Sequence, residues 1–123
     1  MTKEDQNIEK FYAGDNKIIK IPVVDEDGQP FDMTSATAEW VLKENPWDTT
    51  ALISKSTASG ITFSSFQGTN DQVEIALVPA DTATLITEEQ DGKRFYHECE
   101  VTDTGGKVAT VATGYITIKR SAT

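Results

Sequence analysis

Residues 73–103, with the sequence VEIALVPADTATLITEEQDGKRFYHECEVTD, constrain the fold more than any other part of the chain. Apolar and polar residues alternate in the first and last segments of this stretch, and a Pro-Ala-Asp-Thr sequence lies between them. Such alternation is typical of β-strands that bury one face. Two long strands joined by a crossing corner allow a chain to pass from one sheet of a β-sandwich to the other. The stretch therefore predicts an all-β protein with two facing sheets.

The remaining alternating segments complete the predicted sheets. They are residues 17–24, 35–43, 51–56, 61–66 and 107–120. Pro22 has no N–H to donate, which predicts that its strand lies at an edge. Trp40 is the candidate for the centre of the core, because a buried Trp contributes a large apolar area. In the last segment the apolar residues change from odd-numbered positions, as at Val111, to even-numbered positions, as at Ile116. Gly114 lies between them and is therefore predicted to be a β-bulge, where an extra residue exchanges the two faces.

Residues 79–87 predict one short helical turn between the two strands of the central stretch. Pro79 suits the first position of a helix, and Asp81 or Thr82 is expected to cap its exposed N–H groups. Leu85 and Ile86 are then expected to fill the end of the core.

The length of 123 residues suits one domain. We expect a flexible N-terminal arm over residues 1–7, a single domain over 8–120 and a short tail over 121–123. The first ten residues contain no apolar core segment, so they do not predict a signal peptide. No apolar run approaches the ~18 residues of a membrane span.

The formal charge of −9, from 11 basic and 20 acidic residues, bears on the possible partners. An acidic surface repels phosphate groups and anionic lipids, so we expect neither nucleic-acid nor membrane partners. Cys99 is the one cysteine, which excludes an internal disulfide and fits folding in a reducing cytoplasm.

His97 and Cys99 lie two residues apart on one strand face, where they could share a metal or act as base and nucleophile. Zinc needs about four ligands, and the chain has no other Cys or His. Inward-facing strand neighbours are usually core residues, and we expect core packing here.

Two acidic clusters have the residue types of possible sites. Residues 25–28, DEDG, with Asp32 beyond them, have oxygens suited to calcium, but an acidic turn that ends in Gly is also ordinary hairpin chemistry. Glu88, Glu89 and Asp91 resemble paired catalytic carboxylates, although an exposed turn is the simpler interpretation. The chain has no phosphate-binding loop, nucleophile elbow or zinc-protease motif. The sequence therefore predicts no enzymatic activity and no cofactor or metal.

A set of turn and core motifs resembles one known family. These motifs are residues 11–15 (FYAGD), 24–30 (VDEDGQP), 36–42 (ATAEWVL), 79–82 (PADT), 98–103 (ECEVTD) and 114–118 (GYITI). Over residues 11–119 the chain resembles the small immunoglobulin-like β-sandwich proteins of tailed-bacteriophage virions. It is similar to the N-terminal domains of siphophage baseplate upper proteins. The resemblance implies an immunoglobulin-like antiparallel β-sandwich of about seven to eight strands.

The same resemblance implies a structural virion subunit in the neck, tail, baseplate or capsid surface, folded in the bacterial cytoplasm. Its partners would be other virion proteins or copies of itself in a homo-oligomer or ring, joined through edge strands. We predict Phe11, Tyr12 and Trp47 as interface anchors, because aromatic side chains dominate such contacts.

An alternative hypothesis is a carbohydrate- or receptor-binding module on the virion surface. In that module Trp47, Phe66 or Tyr96 would stack on sugar rings. A third hypothesis, an enzyme that uses His97 and Cys99, requires both side chains to face a cleft.

Overall fold

The computed structural model of the protein describes residues 1–86 and 91–120. The predicted tail 121–123 and the carboxylate pair Glu88 and Glu89 lie outside the described residues. Nine strands and one short helix occur in the described ranges: β1 Glu4–Asp5, β2 Ile8–Tyr12, β3 Lys17–Pro22, β4 Thr37–Lys43, β5 Ile53–Ser56, β6 Ile61–Ser64, β7 Gln72–Leu77, α1 Pro79–Thr82, β8 Gly92–Thr102 and β9 Val108–Lys119. No helix among these residues has the length and apolar character needed to cross a membrane.

The strands form two sheets. The large sheet has the order β1-β9-β8-β4-β5, with β2 also paired to β9, and the small sheet has the order β3-β7-β6. The central stretch predicted from the sequence crosses between them, because β7 belongs to the small sheet and β8 to the large one. This strand order is that of a variable-type immunoglobulin sandwich, in which β3 to β9 correspond to strands B, C, C′, D, E, F and G. The chain therefore has an immunoglobulin-like β-sandwich fold.

The strand directions differ in one respect from the antiparallel arrangement that was expected. The strands β1 and β2 run parallel to β9, whereas the other pairs are antiparallel. The direction follows from the connection, because β2 must end where β3 of the small sheet begins. Tyr12 pairs with Lys119 at the end of β9, and Lys17 pairs with Leu77 at the same end of the sandwich.

The core lies between the two sheets and contains the residues that alternation had placed there. Trp40, Ile75 and Phe95 are each at most 1% exposed, which confirms Trp40 as a core residue. The strand β3 lies at the edge of its sheet, as Pro22 predicted. A Trp and a Phe at such sites each contribute on the order of 3–5 kcal/mol to folding relative to Ala.

The predicted β-bulge exists at a different residue. Cys99 pairs with Ala112 and Glu100 with Thr110, so the extra residue of β9 is Val111. Val111 and Ala112 are consecutive and both buried, which is how β9 changes its inward register. The prediction of Gly114 as the bulge is wrong. A Cβ at Gly114 would collide with the carbonyl oxygen of Gln6, so glycine is required there by the close approach of the N-terminal segment.

The corner between the sheets contains a helix shorter than the predicted turn over residues 79–87, of which residue 87 lies outside the described residues. Its helix spans only Pro79–Thr82, and the Asp81 carboxylate accepts a hydrogen bond from the Val78 N–H at 2.8 Å. Thr82 does not cap the helix, because its fully buried hydroxyl accepts the Gly14 N–H at 2.9 Å. Ile86 joins the core and Leu85 packs against it, as expected.

Residues 1–7, predicted as a flexible arm, include the two-residue strand β1. Beyond β1, the Gln6 N–H donates to the Thr113 carbonyl at 2.9 Å. The arm therefore lies along β9 in the folded chain.

Candidate functional site

Trp47 is the most exposed large apolar side chain in the described residues, with 77% of its surface accessible. It occupies the third position of the turn Asn45-Pro46-Trp47-Asp48 between β4 and β5. Pro46 restricts the second position of the turn, as is typical of type I and II turns. The Asp48 N–H donates to the Asn45 carbonyl at 3.1 Å, and the Asp48 carboxylate accepts the Asn45 N–H at 2.9 Å. The indole is thus exposed on a turn held by two hydrogen bonds.

A shallow groove lies on the same loop. It has a volume of about 300 Å³ and is lined by Glu44, Asp48, Thr49, Thr50 and Leu52. Leu52 is 46% exposed, and its N–H donates to the Leu42 carbonyl at 2.7 Å. The loop continues into β5, the edge strand of the large sheet. Trp47, Leu52 and an open strand edge therefore occur together at one corner of the sandwich.

The structure separates the other two predicted anchors. Phe11 is buried in the chain's own core and lies beside Ile118 of β9, so its side chain is not accessible to a partner in this conformation. Tyr12 is 39% exposed on the outer side of the same strand. The sequence had shown two adjacent aromatic residues, but only the tertiary structure decides which one points inward.

Phe66, a candidate for sugar stacking, lies at the end of the sandwich opposite Trp47. It is 58% exposed in the loop between β6 and β7. Asp71 supports this loop: its buried carboxylate accepts the N–H groups of Phe66 at 2.7 Å and Gln67 at 3.0 Å. Burial favours the neutral acid, but these N–H groups hold the pKa of Asp71 below its ordinary value. Trp47 and Phe66 therefore do not form a common platform.

Tyr96, the third stacking candidate, belongs to the outward side of the large sheet. Its ring meets that of Tyr115 edge to face, with centroids 5.9 Å apart, and its hydroxyl donates to Glu98 at 2.9 Å. Burial and the Glu98 carboxylate raise the pKa of Tyr96 to about 12. The Arg94 guanidinium lies over the Tyr115 ring at 4.4 Å from its centroid. Arg94 and Tyr115 were not predicted as site residues, although their alternation in β8 and β9 places them on this face.

His97 and Cys99 face inward and are completely buried. The Trp40 Nε1–H donates to His97 Nδ1 at 3.0 Å, and His97 Nε2 lies 2.6 Å from the Gln6 carbonyl oxygen. Because an indole N–H only donates and a carbonyl only accepts, His97 is neutral with its proton on Nε2. Burial lowers the pKa of His97, although the Gln6 carbonyl opposes the shift.

The Cys99 thiol is equally inaccessible. Burial raises its pKa to about 12, so the thiol remains protonated at neutral pH. The pair offers no thiolate nucleophile, and both nitrogens of the imidazole already have protein partners. The expectation that His97 and Cys99 are core residues is confirmed by their burial.

The acidic turn considered for calcium directs its oxygens to its own backbone and to nearby groups. The Asp25 carboxylate accepts the N–H groups of Asp27 and Gln29, at 2.9 and 3.0 Å. Glu26 pairs with the Met1 amine at 2.7 Å, and Asp32 accepts the Thr34 N–H at 2.9 Å. Among the described residues, no group of three or more His, Cys, Asp or Glu side chains is arranged to hold a metal ion.

Matches to this chain occur among solved structures. No protein-family model matches the chain, and no curated protein sequence matches it. Among solved structures, the chain is similar to murine CRIg with 9% sequence identity and a TM-score of 0.36, over 98% of this chain and 95% of that one. The class of protein is defined by the strand order itself, which is that of an immunoglobulin-like sandwich.

Proposed function

We propose that this chain is a structural subunit that acts through protein–protein contacts, and that the assembly it joins is the virion of a tailed bacteriophage. The observation that carries the proposal is Trp47, 77% exposed on a turn restrained by Pro46 and Asp48. Covering a solvated indole with a partner lowers the free energy of the complex substantially, and Trp is among the residue types enriched at binding hot spots. Because the turn is already ordered, little conformational entropy is lost on binding.

The edge of β5 lies next to this anchor and supports the same role, although its Ser56 N–H already donates to the Ser59 carbonyl at 2.9 Å. An edge strand has backbone N–H and C=O groups that point away from its sheet, and these favour pairing with a strand of another chain. Ion pairing anchors this edge, because Lys55 of β5 pairs with Asp81 of the corner helix at 2.9 Å. A fixed strand edge beside an exposed indole suits a permanent contact in a particle.

The phage assignment is supported by the motif resemblance described from the sequence, which covers nearly the whole chain. We assign the chain no catalytic role, and the burial of His97 and Cys99 supports that choice. A carbohydrate-binding role has less support, since Trp47 and Phe66 lie at opposite ends of the sandwich.

The test is incorporation into particles by a phage whose genome carries this gene. We expect the chain in purified virions by mass spectrometry, and we expect Trp47→Ser to reduce its amount at least about tenfold. Phe66→Ser is the matched control, because it removes an exposed aromatic residue from the opposite end. Absence of the wild-type chain from purified particles would reject the phage role, and equal incorporation of both variants would reject Trp47 as the anchor.

A further inference from the structure

The outer face of the large sheet has charges of opposite sign at its two ends. This face consists of the side chains of β4, β8 and β9 that point away from the small sheet. Its cationic half contains Lys43, Arg94 and Lys119, and its acidic half contains Glu39, Glu98 and Glu100. Tyr96 and Tyr115 lie in the same cross-strand row as Lys43, at the inner border of the cationic half, because Tyr96 pairs with Tyr115 on one side and with Lys43 on the other.

The strand register fixes the separation of the two halves. Arg94 and Glu100 are six residues apart on β8, which corresponds to about 20 Å along a strand. None of the three cations forms an ion pair with another residue in the part of the chain that the structure describes. These three cations are therefore available to pair with carboxylates of a partner.

The acidic half also contains an unfavourable arrangement. Glu39 of β4 lies directly opposite Glu100 of β8, and Glu98 follows on the same face. Like charges directly opposite one another destabilise a sheet. A cation supplied from outside the chain would relieve this repulsion.

We infer that this face binds a second copy of the same chain in a two-fold dimer, which deepens the proposed function by naming the partner of one surface. In a face-to-face dimer the two-fold axis lies in the interface plane. If the axis is perpendicular to the strands, the Arg94 end of each copy faces the Glu100 end of the other. If it is parallel to the strands, cations face cations. Charge therefore selects the first orientation.

The size and composition of the face suit such a dimer. The 11 residues of β8 extend about 36 Å, and the three strands of this face at about 4.8 Å spacing cover about 14 Å across. The projected area is roughly 500 Å², which corresponds to a weak, reversible interface smaller than the standard one of about 800 Å² per partner. The centre of the face contains Tyr96, Tyr115 and Val41, which gives the apolar and aromatic middle that stable interfaces have.

The experiment is light scattering and sedimentation of the purified chain at low and high salt. We expect a dimer at about 100 µM protein in 20 mM salt and a weaker dimer in 1 M salt, because salt screens the paired charges.

Arg94→Glu and Glu100→Arg, made singly, each place like charges in contact twice per dimer. Each should raise the dimer dissociation constant at least about 100-fold. The double variant restores opposite charges and should return to within about tenfold of wild type.

Lys20→Glu is the matched control, because it makes the same change in net charge as Arg94→Glu on an exposed residue of the small sheet. It should leave the dimer unchanged. If Arg94→Glu does not fold, as judged by circular dichroism, Lys43→Glu in the same half replaces it. A monomer at low salt, a dimer that survives Arg94→Glu, or a double variant that does not recover would each overturn the inference. Particle incorporation is measured separately, so either result can fail while the other stands.

Discussion

At the scale of single residues, the imidazole of His97 is a fully buried polar group whose two ring nitrogens both have hydrogen-bond partners. It accepts a hydrogen bond from Trp40 and donates one to Gln6, and it is 0% exposed. Protonation would place an N–H on Nδ1, opposite the Trp40 N–H, so that two donors would face each other. The cationic form is therefore disfavoured in the folded chain both by burial and by its hydrogen-bond partners.

The free energy of unfolding should fall as the pH falls below about 6.5, the ordinary pKa of histidine. Because the pKa of His97 is lowered in the folded chain, the unfolded chain binds the proton first, and stability is lost with acidification. Between pH 7.5 and 5.5 we expect a loss of at most about 1.4 kcal/mol, measured by urea titration at each pH.

The control is His97→Gln, since the chain has no other histidine. This variant should be less stable at every pH but should lack the loss between pH 7.5 and 5.5. Parallel pH profiles for the two proteins would contradict the assigned role of His97.

At the scale of elements, the N-terminal segment, residues 1–7, is attached to β9 by its backbone and to the buried His97 by the Gln6 carbonyl. Gln6 approaches Gly114 so closely that a side chain there would collide with it. The Asn7 side chain also accepts the Tyr115 N–H at 3.0 Å. The segment therefore depends on a glycine 108 residues away in the chain from Gln6.

Gly114→Ala should displace the N-terminal segment and destabilise the fold by about 1–3 kcal/mol, because the added methyl group overlaps the Gln6 backbone. We expect faster protease cleavage within residues 1–12, detected by mass spectrometry. Gly105→Ala is the control, because its nearest neighbour would be the Asp103 carboxylate at 3.4 Å. Equal rates of protease cleavage in both variants would show that the close contact with Gly114 does not hold the N-terminal segment in place.

At the scale of the whole molecule, each sheet buries one face only against the other. Trp40 of the large sheet and Ile75 of the small sheet belong to the same hydrophobic cluster. Neither sheet has another layer to cover that face, so separation of the two exposes the whole core. We therefore expect the sandwich to unfold in one cooperative step.

Ile75→Ala in the small sheet should lower the free energy of unfolding by about 2–5 kcal/mol, because it leaves a cavity in the shared core. In a Trp47→Phe background, Trp40 fluorescence reports on the large sheet. It should give the same transition midpoint as circular dichroism, which reports on both sheets. The paired control is Ile18→Ala, which alters an isoleucine that is 52% exposed on the same sheet and should cost less than about 1 kcal/mol. Two separate midpoints in the Ile75 variant would show that the sheets unfold independently.

Alternation along the chain was sufficient to predict most of the strands, the inward faces and the crossing between sheets. Val73, Phe95 and Val101 are buried as their registers required. Those features depend on a period of two residues, which is a local property. The parallel pairing of β1 and β2 and the bulge at Val111 were not predicted, because they depend on contacts between distant segments.

The sequence by itself determined that this protein is a two-sheet sandwich with Trp40 in its core, since side chains on a strand alternate between its two faces. Only the tertiary structure decided that Gln6 lies against Gly114 and His97, and that charges from three strands form two opposed halves on one face. Both arrangements bring together residues far apart in sequence, and no local pattern records which strands become neighbours.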